Sequence, residues 1–290
     1  MNHTLTFRAG LPEDHDQIRE MTKDIWGGDD YLPHVWHEWV SEPHSHLRVA
    51  VLENEIVASG RIHELTPGYW WLEGLRVHPK HQGKGYATPL HNHLVETALR
   101  QPGVGHIALS TDWDNVKVAH LSESSGMRLI ARHRFFKGDP LETGEDGVEV
   151  EEGLTADEVY ERMAASEWLD TTEGYLMWGW VAYPTTRDWV AKVMEKGLVL
   201  RCGDAIALTG SNSRGVQAWL YWCGGGSEAD QVKVIRHARH LVPRWQHYDG
   251  ALRCFTAPLD PLYDTLLAAG MHDAMDDEEF YLNHFVRDIE

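Results

Sequence analysis

Cysteine is nearly missing from this chain: three in 290 residues, Cys202, Cys223 and Cys254, odd in number, widely spaced and all in the second half. That excludes a disulfide framework and a CxxC metal knuckle, fits a reducing cytoplasm, and leaves the three thiols as core residues. Also missing is any run near the roughly 20 apolar residues a membrane helix needs. The start, Met1-Asn2-His3-Thr4-Leu5, has no basic stretch followed by an apolar one, so neither secretion nor membrane insertion is expected. Positive charge is scarce, with 26 Lys and Arg against 45 Asp and Glu and a formal charge of −19. A polyanion needs a basic surface, so no nucleic-acid partner is expected, and any anionic ligand must be held by local groups. Histidine is plentiful, but the close pairs His34/His37 and His237/His240 lack a third ligand at workable spacing, and no metal site is expected.

What is there reads as two folded units, since 290 residues is about twice a common domain length. The first half runs strand (Leu5 to Ala9), a helix opened by Pro12-Glu13-Asp14, a Gly27-Gly28-Asp29-Asp30 turn and a second helix from Pro33. A meander follows: Arg48 to Glu53, Ile56 to Leu65 and Tyr69 to Val77. Then come a helix from Tyr86 to Arg100, a strand at Ile107 to Ser110, a helix at Asn115 to Ser125 and a strand at Leu129 to Phe136. An acidic segment, 139–153, read as a linker or a solvated hairpin, separates a domain at 1–138 from one at 154–290. The second half has a helix at Ala156 to Ala165, an aromatic strand at Tyr175 to Tyr183 and a helix at Thr186 to Lys196. From Leu198 on, strands at Ala205 to Thr209, Val216 to Cys223, Leu252 to Thr256 and Phe280 to Phe285, with a helix at Ala229 to Leu241, echo the first half.

The informative stretch is Leu75-Arg76-Val77-His78-Pro79-Lys80-His81-Gln82-Gly83-Lys84-Gly85-Tyr86-Ala87, a strand turned sharply into a helix. The first N–H groups of a helix lack internal partners and its dipole favours anions, so amides around Gly83 to Ala87 can cradle a pyrophosphate. Lys80, His81 and Lys84 add local positive charge. Glycine alone does not decide the matter, because a tight turn needs positive φ with or without a ligand.

The spacing V-x-P followed by Q-x-x-G-x-A resembles motif A of the GNAT acetyltransferases. The resemblance implies an α/β (α+β) fold, a mixed central sheet flanked by helices, with acetyl-coenzyme A as the acetyl donor. It implies pyrophosphate binding at Gln82, Gly83, Lys84, Gly85, Tyr86 and Ala87, and pantetheine bonded to the backbone of Leu75, Arg76 and Val77, on a strand that splays from its neighbour. Asn115-Val116-Lys117-Val118-Ala119 and Ser125-Gly126-Met127 look like the family's N-x-x-A and G-F elements, which brings Asn115 to the cofactor. Ser122 occupies the position where many members carry a Tyr that protonates the leaving thiolate. Serine is a poor proton donor, leaving water, Ser122 through hydrogen bonding, Tyr31 or an unassisted thiolate.

On the acceptor side an ammonium must lose a proton before it attacks. Glu73, four residues before Val77 and so on its face by strand alternation, is the candidate base, with pairing to Arg61 or Arg76, or binding of the ammonium, as the other readings. The stretches Asp24-Ile25-Trp26-Gly27-Gly28-Asp29-Asp30-Tyr31-Leu32-Pro33 and Leu72-Glu73-Gly74-Leu75-Arg76-Val77 are similar to the vertebrate histidine N-acetyltransferase group. That resemblance, over Arg8 to Phe136, implies a free amino acid or similar small amine near Asp29, Asp30, Tyr31 and Glu73; a Gly-Gly turn with capping aspartates is the structural reading of the same residues.

The second half resembles a divergent GNAT fold with Gly224-Gly225-Gly226 where the phosphate loop belongs and no V-x-P or Q-x-x-G-x-A, so it is not expected to bind coenzyme A. The expectation is a cytoplasmic tandem-domain N-acetyltransferase, monomer or homodimer, acting on a small-molecule amine such as the α-amino group of histidine. A protein N-terminus, an aminoglycoside and a cofactor-binding regulator without turnover are the alternatives.

Overall fold

The structure, a computed structural model, describes residues 5–211, 217–244, 250–275 and 280–289. β1 (Thr6–Ala9) leads through a 3-10 turn opened by Pro12 into α1 (His15–Thr22). Asp14 fixes that entry by accepting from Arg8 at 2.6 and 2.7 Å and from the Leu11 N–H at 2.8 Å. After Ile25–Gly28, where Trp26, Gly27 and Gly28 all have positive φ, the chain enters α2 (Leu32–Ser41). β2 (Ser45–Leu52), β3 (Glu55–Thr66) and β4 (Tyr69–Val77) form the expected antiparallel meander. α3 (Ala87–Leu99), β5 (His106–Asp112), α4 (Val116–Ser124) and β6 (Arg128–Gly138) follow.

Farther on come β7 (Glu149–Val150), α5 (Ala156–Ala164), α6 (Glu167–Thr171), β8 (Tyr175–Trp178), β9 (Val181–Pro184) and α7 (Arg187–Lys196). The chain continues through β10 (Gly197–Cys202), β11 (Ala205–Ser211), β12 (Ala218–Gly224), α8 (Glu228–His240), β13 (Leu252–Thr256), α9 (Asp260–Ala268), β14 (His272–Asp273) and β15 (Tyr281–Asp288). Thr155, Ser166, Thr186 and Ser227 each cap the helix they precede by accepting from a backbone N–H of its first turn. The aromatic strand expected at Tyr175 to Tyr183 is the hairpin β8–β9, broken at Gly179 with φ of +67°. Val216, expected in a strand, lies outside the described residues, and β12 begins at Ala218.

Two compact units emerge that do not follow sequence order. The first holds the chain up to Leu109, Val116–Arg128 and the residues from Phe285 on. Its sheet has the order β1-β2-β3-β4-β5-β15. Phe285 lies in the core under α3 with Leu90, Leu94 and Ile107, Ile289 N–H donates to Gly105 O at 2.8 Å, and Arg287 donates to Ser125 O at 2.9 Å. α1 and α2 cover the opposite sheet face, burying Ile18, Met21, Trp36 and Trp39 against Leu47, Val49 and Ile56.

The second unit holds Ser110–Asn115 and Leu129–His284, with the sheet order β15-β6-β13-β12-β11-β10-β7. The acidic segment read as a linker at 139–153 is part of this unit. Glu145 binds Arg236 at 2.5 Å, Glu151 binds Arg201 at 2.8 Å, and β7 pairs with β10. Charge composition marks a solvated surface equally well on a linker or on an edge strand, which is why the sequence did not separate the two. Among the described residues no helix is long and apolar enough to cross a membrane.

Candidate active site

The turn between β4 and α3 is built from backbone. His78 is buried, its N–H donating to Val57 O at 2.9 Å and its Nδ1 accepting from Lys80 N at 3.2 Å, and this anchors the 3-10 turn Pro79–His81. Gly83 and Gly85 have φ of +77° and +83°, and a Cβ added at either would meet nothing within 4 Å. Positive φ requires glycine there, while the open space leaves the main chain accessible. Gln82, Gly83, Lys84 and Gly85 are exposed. α3 starts at Ala87 with Tyr86 as its N-cap, no side chain caps it, and its first turn carries no acid. The first amides of α3 therefore face an anion-favouring space. Of the basic residues, His81 is drawn to Glu55 at 3.1 Å, and Lys84 Nζ lies 3.3 Å from His81 Nδ1.

β4 and β5 pair in parallel only at Tyr69 with His106, Trp70 with Ile107 and Trp71 with Ala108. From Leu72 to Val77, β4 runs on without register to β5, so the strands part and the main chain of Leu75, Arg76 and Val77 is left on an unzipped edge. A substrate arm can add to such an edge by main-chain hydrogen bonds.

Asn115 precedes α4 and Ser122 lies in its last turn. Asn115 is exposed in the turn before it, its N–H donating to Asp112 O at 3.0 Å. Ser122 is fully buried, and its hydroxyl donates to Val118 O at 2.8 Å. Its one proton is thus committed to a helix carbonyl one turn back.

On the other face of β4 the alternation argument needs correcting. Arg61 stands opposite Glu73 and Ser59 opposite Arg76, so two steps on β3 match three on β4. The extra residue is a bulge at Gly74, whose φ is +66° and whose Cβ, if present, would lie 2.7 Å from Trp39 Cζ3. One inserted residue flips side-chain parity. Glu73 therefore shares its face with Arg61 and Arg76, and Val77 turns to the α3 side, where it packs against the core.

That shared face carries a closed set of charges. Glu73 Oε1 lies 3.3 Å from Arg61 and 3.0 Å from His63 Nε2, while Glu42 pairs with the same Arg61 and lies 3.8 Å from His63 Nδ1. Arg61 is buried and lies 4.5 Å over the Trp39 ring. Burial pulls its guanidinium below the usual value, and the two carboxylates oppose that shift. Glu73 thus makes one of the alternative contacts read from sequence, the ion pair with Arg61, and a contact to His63 that was not anticipated. His63 was legible only through the β3–β4 register, which puts Arg61 and His63, two residues apart, beside Glu73.

The aspartates of the Gly-Gly turn part ways. Asp29 is exposed. Asp30 is buried, accepts from Arg76 Nε at 2.7 Å and from the Leu32 N–H at 2.9 Å, and so ties α2 to β4. Arg76 is stacked 4.5 Å over Trp26 and 5.3 Å from the Tyr31 ring, and Tyr31 makes an edge contact with Trp39. Burial first, then the Glu73 charge, pushes the Tyr31 phenol up to about 12, so it stays neutral and is a weak acid. Trp26 keeps 60 % of its surface exposed beside this wall. Among the described residues no His, Cys, Asp and Glu group is arranged to hold a metal, and burial pushes the Cys223 thiol up to about 12, far from nucleophilic.

Residues 15–127 match the profile of the Acetyltransferase (GNAT) family. A histidine N-acetyltransferase of Scomber australasicus is 37% identical over 84 residues, 29% of this chain and 25% of that protein. One of Oreochromis niloticus is 34% identical over 110 residues, 37% of this chain and 33% of that protein. The chain thus spans a quarter to a third of these curated relatives. A GCN5-related N-acetyltransferase from Sphaerobacter thermophilus superposes with a TM-score of 0.64 at 14% identity, covering 98% of this chain and 95% of that one, which shows the same fold through both units. The chain is thus similar over residues 15–127 to the GNAT acetyltransferase family, and the parted strands and the open glycine turn lie within that span.

Proposed function

We propose that the chain transfers acetyl from acetyl-coenzyme A to the amine of a small molecule, with the α-amino group of histidine or a related amino acid as the leading acceptor. The observation that carries this reading is the pairing of an uncapped, acid-free α3 start and open Gly83 and Gly85 with the β4 edge released from β5 beyond Trp71. The amides of Gly83 to Ala87 would hold the pyrophosphate, and the main chain of Leu75 to Val77 the pantetheine arm. When bound, the thioester supplies the acetyl group.

Starting from an ammonium, two acceptor N–H bonds and the C–S bond break while an N–C and an S–H bond form; one proton ends on sulfur and one in solvent. Glu73, with 21 % of its side chain exposed, takes the proton from the acceptor ammonium. His63 lies beside both carboxylates, its Nε2 3.0 Å from Glu73 and its Nδ1 3.8 Å from Glu42, whose side chain is 36 % exposed. Arg61 keeps the two carboxylates apart and oriented. Trp26 offers an exposed ring against which an acceptor imidazole can stack, and the family resemblance to histidine N-acetyltransferases points to the same acceptor.

The test is release of free thiol from acetyl-coenzyme A over a panel of amino acids, amines and peptides. Histidine should stimulate release most, and Glu73→Gln should lower kcat by about 10²- to 10³-fold with coenzyme A affinity retained. Unchanged turnover removes Glu73 as the base. The committed Ser122 hydroxyl favours a second reading, a coenzyme-A-binding regulator, and no stimulated release with any acceptor would support it.

A further inference from the structure

A second concave site lies in the first unit, remote from the glycine turn. It is a groove of about 390 Å³ between β1, β2 and the last turns of α3, lined by Arg8, Arg48, Arg100, His46 and His93 with Phe7, Ala9, Thr97 and Gln101. No carboxylate lines it. In a chain with 45 acidic against 26 basic residues, two guanidiniums, of Arg48 and Arg100, and two imidazoles around one hollow run against the composition.

The local fold explains how they converge. His46 and Arg48 alternate onto the face of β2 that α3 covers, Phe7 on β1 shares that face, and His93 of α3 stacks on Phe7 at 4.9 Å. Arg100 closes the groove from the end of α3, while Arg8, opposite Val49, turns its guanidinium to the other sheet face and onto Asp14. Two of the arginines are balanced, Arg8 by Asp14 and Arg100 by Glu96. Arg48 is different: its guanidinium donates to Leu47 O at 3.2 Å, burial pulls its pKa down, and no acid offsets the shift. Burial first, then the Arg48 charge, holds His46 and His93 below the ordinary imidazole value, against a raising contribution from Gln101 at His46 and from Glu96 at His93. The carbonyls at the α3 C-terminus, which alone would repel an anion, are partly covered by Gln101, whose side chain donates to Thr97 O at 3.0 Å.

We propose that this groove binds a small molecule bearing two or more carboxylate or phosphate groups, with Arg48 as its central partner and Arg100 as a flexible outer one. Guanidinium suits such groups because it presents paired donors in one plane. The volume fits a compact polyanion of metabolite size. The site begins at His93, six residues or about 9 Å along α3 from its start at Ala87, and shares no residue with the glycine turn, so it is separate from the coenzyme A reading and stands if that reading falls.

The experiment uses the full chain saturated with coenzyme A, which occupies any phosphate cradle at the glycine turn, titrated with citrate in one arm and inorganic pyrophosphate in the other. Binding is read by calorimetry and by the C2–H NMR signals of His46 and His93, assigned with His46→Gln and His93→Gln. One or both anions should bind at or below millimolar concentration and raise the pKa of both histidines. Arg48→Gln should weaken that binding at least tenfold and Arg100→Gln, an exposed change that leaves the fold alone, several-fold. Response in one arm alone tells carboxylate from phosphate preference. No response of either histidine in both arms, or equal binding by Arg48→Gln and Arg100→Gln, overturns the proposal. Repeating the titration without coenzyme A keeps the two readings distinct, since the His46 and His93 signals report the groove alone.

Discussion

At Gly83 and Gly85 an added Cβ would meet nothing within 4 Å, whereas at Gly224, Gly225 and Gly226 it would fall 2.5 Å from Trp222 Cζ2, 2.6 Å from Asp204 O and 2.5 Å from Ala205 N. Both stretches join a strand to a helix in glycine. In the first unit the glycines keep the chain clear of anything, and in the second they let it close on the β10–β11 turn. The helix starts differ in the same sense. α3 has no side-chain cap and no acid in its first turn, while α8 is capped by Ser227 and carries Glu228 and Asp230. Gln231 further pins the second loop by donating to Gly225 O at 2.9 Å. One element, repeated, thus serves approach of a foreign group in one unit and approach of the chain to itself in the other.

The sharpest way to break this contrast is Gly226→Ala. Its φ of +62° and the 2.5 Å clash with backbone make it cost about 3 kcal/mol, read as a fall in Tm or in the urea midpoint, with coenzyme A affinity unchanged. A lost affinity would place the ligand at the wrong loop. Next is Thr88→Asp, which gives the exposed first turn of α3 the acid that α8 already has. Coenzyme A Kd should rise about tenfold, or about 1.4 kcal/mol, while stability holds or gains slightly because an acid suits a helix N-terminus. Parallel loss of affinity and stability would mean the turn is structural only.

The smallest effect concerns pH. Tyr31 in the first unit is held at about 12 by burial, and Tyr221 in the second is pushed up by burial further still. A phenol whose folded value exceeds its unfolded value near 10 contributes stability that is complete below about pH 10 and lost as pH climbs toward 12. Relative to Tyr31→Phe, the wild-type chain should therefore lose stability above pH 10 and show no change of gap below pH 9. A gap that moves at pH 6 to 8 would contradict the burial described for Tyr31.

Much of the first unit was legible because its signals are local. Pro and Gly punctuate β4, the turn and α3, and the V-x-P and Q-x-x-G-x-A spacing lies within one stretch of chain. What escaped depends on pairing between strands. Counting by twos from Val77 could not see the extra residue at Gly74, so Glu73 was assigned to the face of Val77 when it stands with Arg61, Arg76 and His63. The choice between a linker and a solvated hairpin at 139–153 stayed open for a related reason, since an acidic edge strand such as β7 and an acidic tether have the same composition. α6 was missed because five residues show too little periodicity, though Ser166 before Glu167 was its cap in plain view.

His106 on β5 bonds Asp288 on β15 at 2.9 Å although 182 residues separate them. At roughly 5 to 20 residues per second, a ribosome delivers that partner about 10 to 35 s after β5 has left it. In the interval the outer edge of β5 offers unpaired amides and carbonyls to any passing extended segment, so newly made chains are most prone to mispairing then, and the first unit is completed only after the rest of the second has been made.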